Sequence, residues 1–164
     1  MKKITKDDID GLKFKDNDYH YMYKPVKKIN DLIEKNGHNE NIETIDIDSR
    51  KDLDNIPLNV IQKVFPDVNK IVVDNGSTIP KIIQKFDNVD TLSLESRNIR
   101  YIPKRIKNYD NIKNLNLQLR GVKEFPIEIT KMKNLESLSL GNIHANKISP
   151  KIKFLRSLKH LKVD

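Results

Sequence analysis

The chain has no cysteine and no tryptophan among its 164 residues and only 5 glycines. It also has no apolar run approaching the roughly 18 residues needed to span a bilayer. The missing cysteines exclude disulfides, thiolate metal sites and cysteine nucleophiles together, and they fit a reducing compartment. The opening segment "MKKITKDDID" carries lysines with no apolar stretch behind them, so it does not read as a signal peptide. A soluble, cytoplasmic protein with no membrane span is the expectation. Signatures of catalysis are missing as well: there is no Gly-rich phosphate loop and no serine elbow, and His20, His38, His144 and His160 are scattered without metal-ligand spacing. No catalytic residue, cofactor or metal site is expected. "NGS" at Asn75 matches a glycosylation sequon, but in a cytosolic chain it reads better as a glycine-containing turn.

What is abundant is aliphatic and charged. Hydrophobic residues make up 37% and charged residues 33%, with a mean hydropathy of -0.64. Ile and Leu recur along the whole length, which separates the chain from the disordered class, and the length suits one folding unit. Ile, Lys and Asn in excess over Gly and Ala is the composition that an AT-rich genome imposes. The bulk net charge of +8 is therefore not read by itself as a ligand signal.

The aliphatic residues are periodic. The pattern apolar-x-x-apolar-x-apolar occurs as "IETIDI" from Ile42, "VNKIVV" from Val68, "VDTLSL" from Val89, "IKNLNL" from Ile112, "LESLSL" from Leu135 and "LKHLKV" from Leu158. The intervals are 26, 21, 23, 23 and 23 residues, so the irregular ones fall toward the N-terminus. Stacked layers require such a repeat and a single packed core does not. The closing alternation has period two and predicts a short half-buried strand in each unit. A second shared phrase follows each strand: "NIPLNVI" at Asn55, "TIPKII" at Thr78, "YIPKRI" at Tyr101, "EFPIEI" at Glu124 and the shifted variant "ISPKI" at Ile148. Proline fixes φ near −65° and suits the first turn of a helix, so each phrase predicts a turn leading into a short helical or 3₁₀ segment. Ile106, Tyr109 and Ile112, and likewise Ile129, Met132 and Leu135, are apolar at every third residue and are expected in the same core.

Taken together these phrases resemble the leucine-rich repeat, over roughly residues 42 to 164. The period is similar to that of the intracellular class of Ras-pathway scaffolds and plant-type proteins, more than to the shorter bacterial effector type of about 20 residues. The resemblance implies an α/β solenoid, with a parallel β-sheet on the concave face and short helical or 3₁₀ segments on the convex face. It also implies a protein-interaction role and no enzymatic one, since an open concave sheet does not shield a reaction from water. One column departs from the family. Where an asparagine ladder is usual, this chain has Arg50, Gly76, Arg97, Arg120 and Ile143, with Asn98 one position late, which leaves the turn geometry open.

Residues 1–41 lack the repeat. "KPVKKINDLIEKNG" places Val26, Ile29, Leu32 and Ile33 on one helical face between Pro25 and Gly37, and predicts an amphipathic capping helix. The aromatics of "YHYMY" at Tyr19 read as capping contacts in preference to a base-stacking platform.

Residues between the buried strand positions face the concave side and form three columns. The first is Thr44, Lys70, Thr91, Asn114, Ser137 and His160; the second is Asp46, Val72, Ser93, Asn116, Ser139 and Lys162; the third is Asp48, Asp74, Glu95, Gln118, Gly141 and Asp164. Asp46, Asp48, Asp74, Glu95, Asn116 and Gln118 are the candidate partner-binding residues, with an acidic corner that favours a protein partner with a basic surface. The plain alternative is that these charges only keep an exposed sheet solvated. Residues 76–164 are strongly net basic, and Lys104, Arg105, Lys107, Lys131, Lys133, Lys151, Lys153 and Arg156 fall on the convex side. That ridge makes nucleic-acid or anionic-surface binding the competing expectation. Finally, Leu158, Leu161 and Val163 of the sixth motif have no following segment to cover them, so a homodimer through this strand is weighed against a solvated monomer.

Overall fold

The computed structural model describes residues 44–48, 66–74, 76–143 and 147–163, and their side chains apart from those of 45–48, 82 and 85. The expected capping helix in 1–41 and the phrase at Asn55 lie outside the described residues. Six strands run parallel in chain order: β1 (Thr44–Asp48), β2 (Lys70–Asp74), β3 (Thr91–Ser96), β4 (Asn114–Leu119), β5 (Ser137–Gly141) and β6 (His160–Val163). Their register is the one the repeat dictates. Leu92 pairs with Leu115, Leu115 with Leu138, and Leu138 with Leu161, so each repeat position lies beside its equivalent. Parallel neighbours need a crossover between them, and the 23-residue unit supplies one.

The four crossovers from β2 to β6 each carry a five-residue 3₁₀ segment: η1 (Lys81–Lys85), η2 (Lys104–Asn108), η3 (Ile127–Lys131) and η4 (Pro150–Phe154). The choice of 3₁₀ explains the apolar spacing of three. The Ile106 N–H donates to the Pro103 carbonyl (3.0 Å), Tyr109 to Ile106 (3.1 Å) and Ile112 to Tyr109 (3.1 Å), so three residues per turn keep Ile106, Tyr109 and Ile112 on one inward line. Ile129, Met132 and Leu135 repeat the arrangement through Pro126. All six are buried. Pro80, Pro103 and Pro126 cap the first three segments without a side-chain bond. In the shifted phrase Pro150 moves inside the segment, and Ser149 takes over as cap by accepting the Lys151 N–H (3.3 Å).

The layers are tied by backbone forks at the strand starts. The N–H groups of Lys113 and Asn114 both donate to the Asp90 carbonyl (2.8 and 3.0 Å). Glu136 and Ser137 do the same to Lys113 (2.8 and 2.9 Å), and Lys159 and His160 to Glu136 (2.8 and 3.1 Å). A side-chain ladder runs beside them one residue before each motif. Asn111 Nδ2 donates to the Phe86 carbonyl (3.5 Å), Asn134 Nδ2 to Asp110 (2.9 Å) and Ser157 Oγ to Lys133 (2.9 Å). The usual asparagine position is not used in this way: Arg97 and Arg120 point to solvent. The turn after β3 is held by Ser96, whose buried hydroxyl donates to the Gly76 carbonyl (2.5 Å) and accepts the Asn98 N–H (3.0 Å). After β4 the chain passes so close to the preceding turn that a Cβ on Gly121 would collide with the Ile99 carbonyl oxygen and sit 3.0 Å from that of Arg97. At the outer end Lys159 Nζ lies 2.5 Å from Glu136 Oε2. That hydrogen bond and the lysine charge hold the Glu136 carboxyl below its usual value.

Leu115 in β4 is 2% exposed, between layers on both sides. Leu115→Ala is expected to cost on the order of 2–5 kcal/mol in a denaturant titration, because stacked neighbours leave little room to collapse around the cavity. A loss under about 0.5 kcal/mol would contradict this packing.

Candidate functional site

Strand alternation sends Leu115, Leu117 and Leu119 into the core and leaves Asn114, Asn116 and Gln118 half-buried on the opposite face. Strand pairing aligns the three concave columns as the repeat requires. Asp48, Asp74, Glu95, Gln118 and Gly141 are successive register partners, as are Asp46, Val72, Ser93, Asn116 and Ser139. Asp46 and Asp48 are placed by backbone register alone, since their side chains lie outside the described residues. Asp164 lies outside them too.

Three of the candidate residues are joined into one hydrogen-bonded chain. Asn142 Nδ2 donates to Gln118 Oε1 (2.9 Å), Gln118 Nε2 to Asn116 Oδ1 (3.3 Å), Asn116 Nδ2 to Ser93 Oγ (3.0 Å), and Ser93 Oγ to Glu95 Oε1 (3.0 Å). Every donor points the same way, toward the carboxylate, because a carboxylate only accepts while an amide offers both functions. A parallel branch runs from Asn114 Nδ2 to Thr91 Oγ1 (3.2 Å) and on to Asp90 Oδ1 (2.7 Å). Both branches end on acids. Glu95 is exposed, and the adjoining Asp74 is half-buried. The six candidates therefore divide in two: Asn116, Gln118 and Glu95 share one network, while Asp74, with Asp46 and Asp48 placed by register, flanks its acidic end.

Two features of this network are absent from the sequence reading. Asn142, which starts the chain, adopts φ 55°, a left-handed backbone that asparagine tolerates. Gly141 is the other. Its missing side chain lets Gln118 lie across β5, where a Cβ would collide with the Gln118 amide. A Gly at the column position beside Gln118 was visible in the sequence; what it accommodates was not. The convex ridge also differs in one member, for Arg105 is drawn in and half-buried while Lys104, Lys107, Lys131, Lys133, Lys151, Lys153 and Arg156 remain exposed.

Among the described residues no group of three or more His, Asp or Glu is arranged to hold a metal ion, and no helix is long and apolar enough to cross a membrane. No family model and no curated protein matches the sequence. Solved structures do resemble it. One is an LRR protein of Leptospira interrogans, LIC12759, with a TM-score of 0.53 and 22% identity over 76% of this chain and 33% of that one. Another is the leucine-rich repeat domain of the type III effector XopL, with a TM-score of 0.48 and 18% identity over 85% of this chain and 57% of that one. The chain thus spans a third of the first protein and just over half of the second. Its fold is the α/β leucine-rich-repeat solenoid.

The two tight glycines separate a side-chain contact from a backbone one. Gly141→Ala meets only the movable end of Gln118, so it is expected to leave the melting temperature almost unchanged while shifting the side-chain amide NMR signals of Gln118 and Asn116. Gly121→Ala meets backbone carbonyls and is expected to destabilise by about 1–3 kcal/mol. Equal stability losses in the two variants would contradict the geometry.

Proposed function

We propose that the concave face is a protein-interaction surface that takes a cationic segment of a partner protein at its acidic end. The observation that carries this reading is the directed polar chain from Asn142 to Glu95. Its amides are bonded to one another, and the Glu95 carboxylate at its end, which accepts from Ser93, is exposed to an incoming lysine or arginine. Asp74 and the register positions of Asp46 and Asp48 lie alongside and add negative charge where neighbouring parallel strands are only about 4.8 Å apart. Such a surface requires no catalytic group. The likeness to leucine-rich-repeat structures agrees with a binding role and adds nothing about the partner.

The test uses partner capture by the purified chain and by two charge-reversal variants. Asp74→Lys and Glu95→Lys are expected to abolish capture with little change in melting temperature, while Lys107→Glu on the convex ridge is expected to leave it intact. The reverse outcome would favour the convex ridge. A salt titration of binding to generic duplex DNA then identifies that alternative by a steep log–log slope, the mark of phosphate neutralisation.

A second contact rests on β6, where Leu161 and Val163 are 45% and 51% exposed and Leu158 alone packs against the core. Pairing with a second copy would cover them, as a further repeat would. Sedimentation equilibrium should then show association that rises with concentration and disappears in Leu161→Lys. A single species of 19.2 kDa at every concentration would rule the homodimer out.

A further inference from the structure

The turns that lead from β2 and β3 to the convex side enclose a small cavity between them. Ser77, Thr78, Ile79 and Lys81 form one wall, and Tyr101, Pro103 and Arg105 form the other. Its volume is about 200 Å³. That is below the roughly 300–1,000 Å³ of sites that enclose a drug-sized ligand, so it suits one small group.

The lining has an unusual balance. Two cationic residues, Lys81 and Arg105, and three hydroxyl-bearing ones, Ser77, Thr78 and Tyr101, line the space, and no acidic residue does. Arg105 is held in place, since its Nη2 donates to the Ile79 carbonyl across the repeat interface. Its Nε is sealed from solvent and has no hydrogen-bond partner. A half-buried guanidinium carries a desolvation cost that an anion in the cavity offsets through its charge, the sealed Nε itself staying out of reach. Repetition of the fold does not account for this chemistry. One period further on, the positions of Thr78, Lys81 and Arg105 are taken by Tyr101, Lys104 and Glu128. The corresponding groove is lined by Arg100 and Lys123 together with Glu124 and Glu128, so it carries both signs.

We propose that this cavity binds the terminal phosphate of a phosphomonoester. A phosphate offers three acceptor oxygens and up to two negative charges, which matches two cations and three hydroxyl donors better than the two oxygens of a carboxylate. The exposed Tyr101 ring supplies a flat apolar wall for the group that bears the phosphate. The site stands apart from the concave face, and neither reading depends on the other.

The test is calorimetric titration and NMR chemical-shift mapping of the full chain with inorganic phosphate, O-phosphoserine, a nucleoside 5′-monophosphate and, as a carboxylate control, glutamate. Saturable one-to-one binding of the phosphates is expected, with shifts confined to Ser77, Thr78, Lys81, Tyr101 and Arg105. Lys81 is exposed, so Lys81→Ala should fold normally and weaken binding about tenfold, whereas Lys107→Ala on the same side of the solenoid should leave it unchanged. Arg105→Gln also removes the bond to Ile79, so its melting curve is measured beside its affinity. Tighter binding of O-phosphoserine than of the nucleotide would assign the phosphate to a protein source, and the opposite order to a nucleotide. Equal losses in Lys81→Ala and Lys107→Ala, shifts spread over the convex lysines, or equal binding of glutamate would overturn the proposal.

Discussion

A layer of 23 residues does not bury its own apolar face, and that shortfall governs the whole molecule. β2 to β5 each contribute two or three buried aliphatic side chains and the return legs add residues such as Ile106, Tyr109, Ile129 and Met132, which become useful only when a neighbouring layer covers them. Covering requires equivalent residues to lie opposite one another, because a slip of one residue would turn every leucine of a strand to the solvent. The spacing is uniform from Val89 to Leu158. The same demand explains the forks at the strand starts, where two successive N–H groups converge on one carbonyl of the preceding layer. Stability in such an array accumulates layer by layer, and the interface is its unit.

The sheet and its register were legible for this reason. Period-two alternation identified the strands, and a constant interval aligned Leu92, Leu115 and Leu138 without any knowledge of the turns. The return legs were legible one step less directly. Apolar residues at every third position are compatible with either helix type, and the 3₁₀ form wins because three residues per turn keep that line inward over five residues. The turns after the strands were not legible. The family position for asparagine holds arginine in three repeats, at Arg50, Arg97 and Arg120, and the work of closing the turn after β3 passes to the neighbouring Ser96 hydroxyl. A second ladder, through Asn111, Asn134 and Ser157, did leave a trace as a column of short polar residues just before each motif. Nothing in residue type alone distinguishes such a column from ordinary turn polarity.

The concave face shows the same division between placement and connection. The sequence placed Glu95, Asn116 and Gln118 on one face at adjoining register positions, because alternation and period suffice for that. It did not give the bonds among them, which depend on rotamers and on the space above Gly141. Connection changes their meaning. Separate amides on an exposed sheet would each exchange water for a partner's group at little net gain. Amides bonded to one another, and ordered toward a carboxylate, present a pre-arranged polar strip with its negative charge at one end.

Charge is distributed across the two surfaces in opposite senses, with acids at the early end of the concave face and lysines along the convex 3₁₀ segments. A solenoid one layer thick brings these fields close together, yet solvent screens each within a distance of about 8–10 Å at ordinary salt. A cationic partner approaching the convex side meets repulsion, and the same partner approaching the early strands meets attraction. On the proposed reading the charge arrangement would steer a cationic partner to the concave face before any side chain is in contact, and the carboxylate end of the amide chain would then receive its positive group.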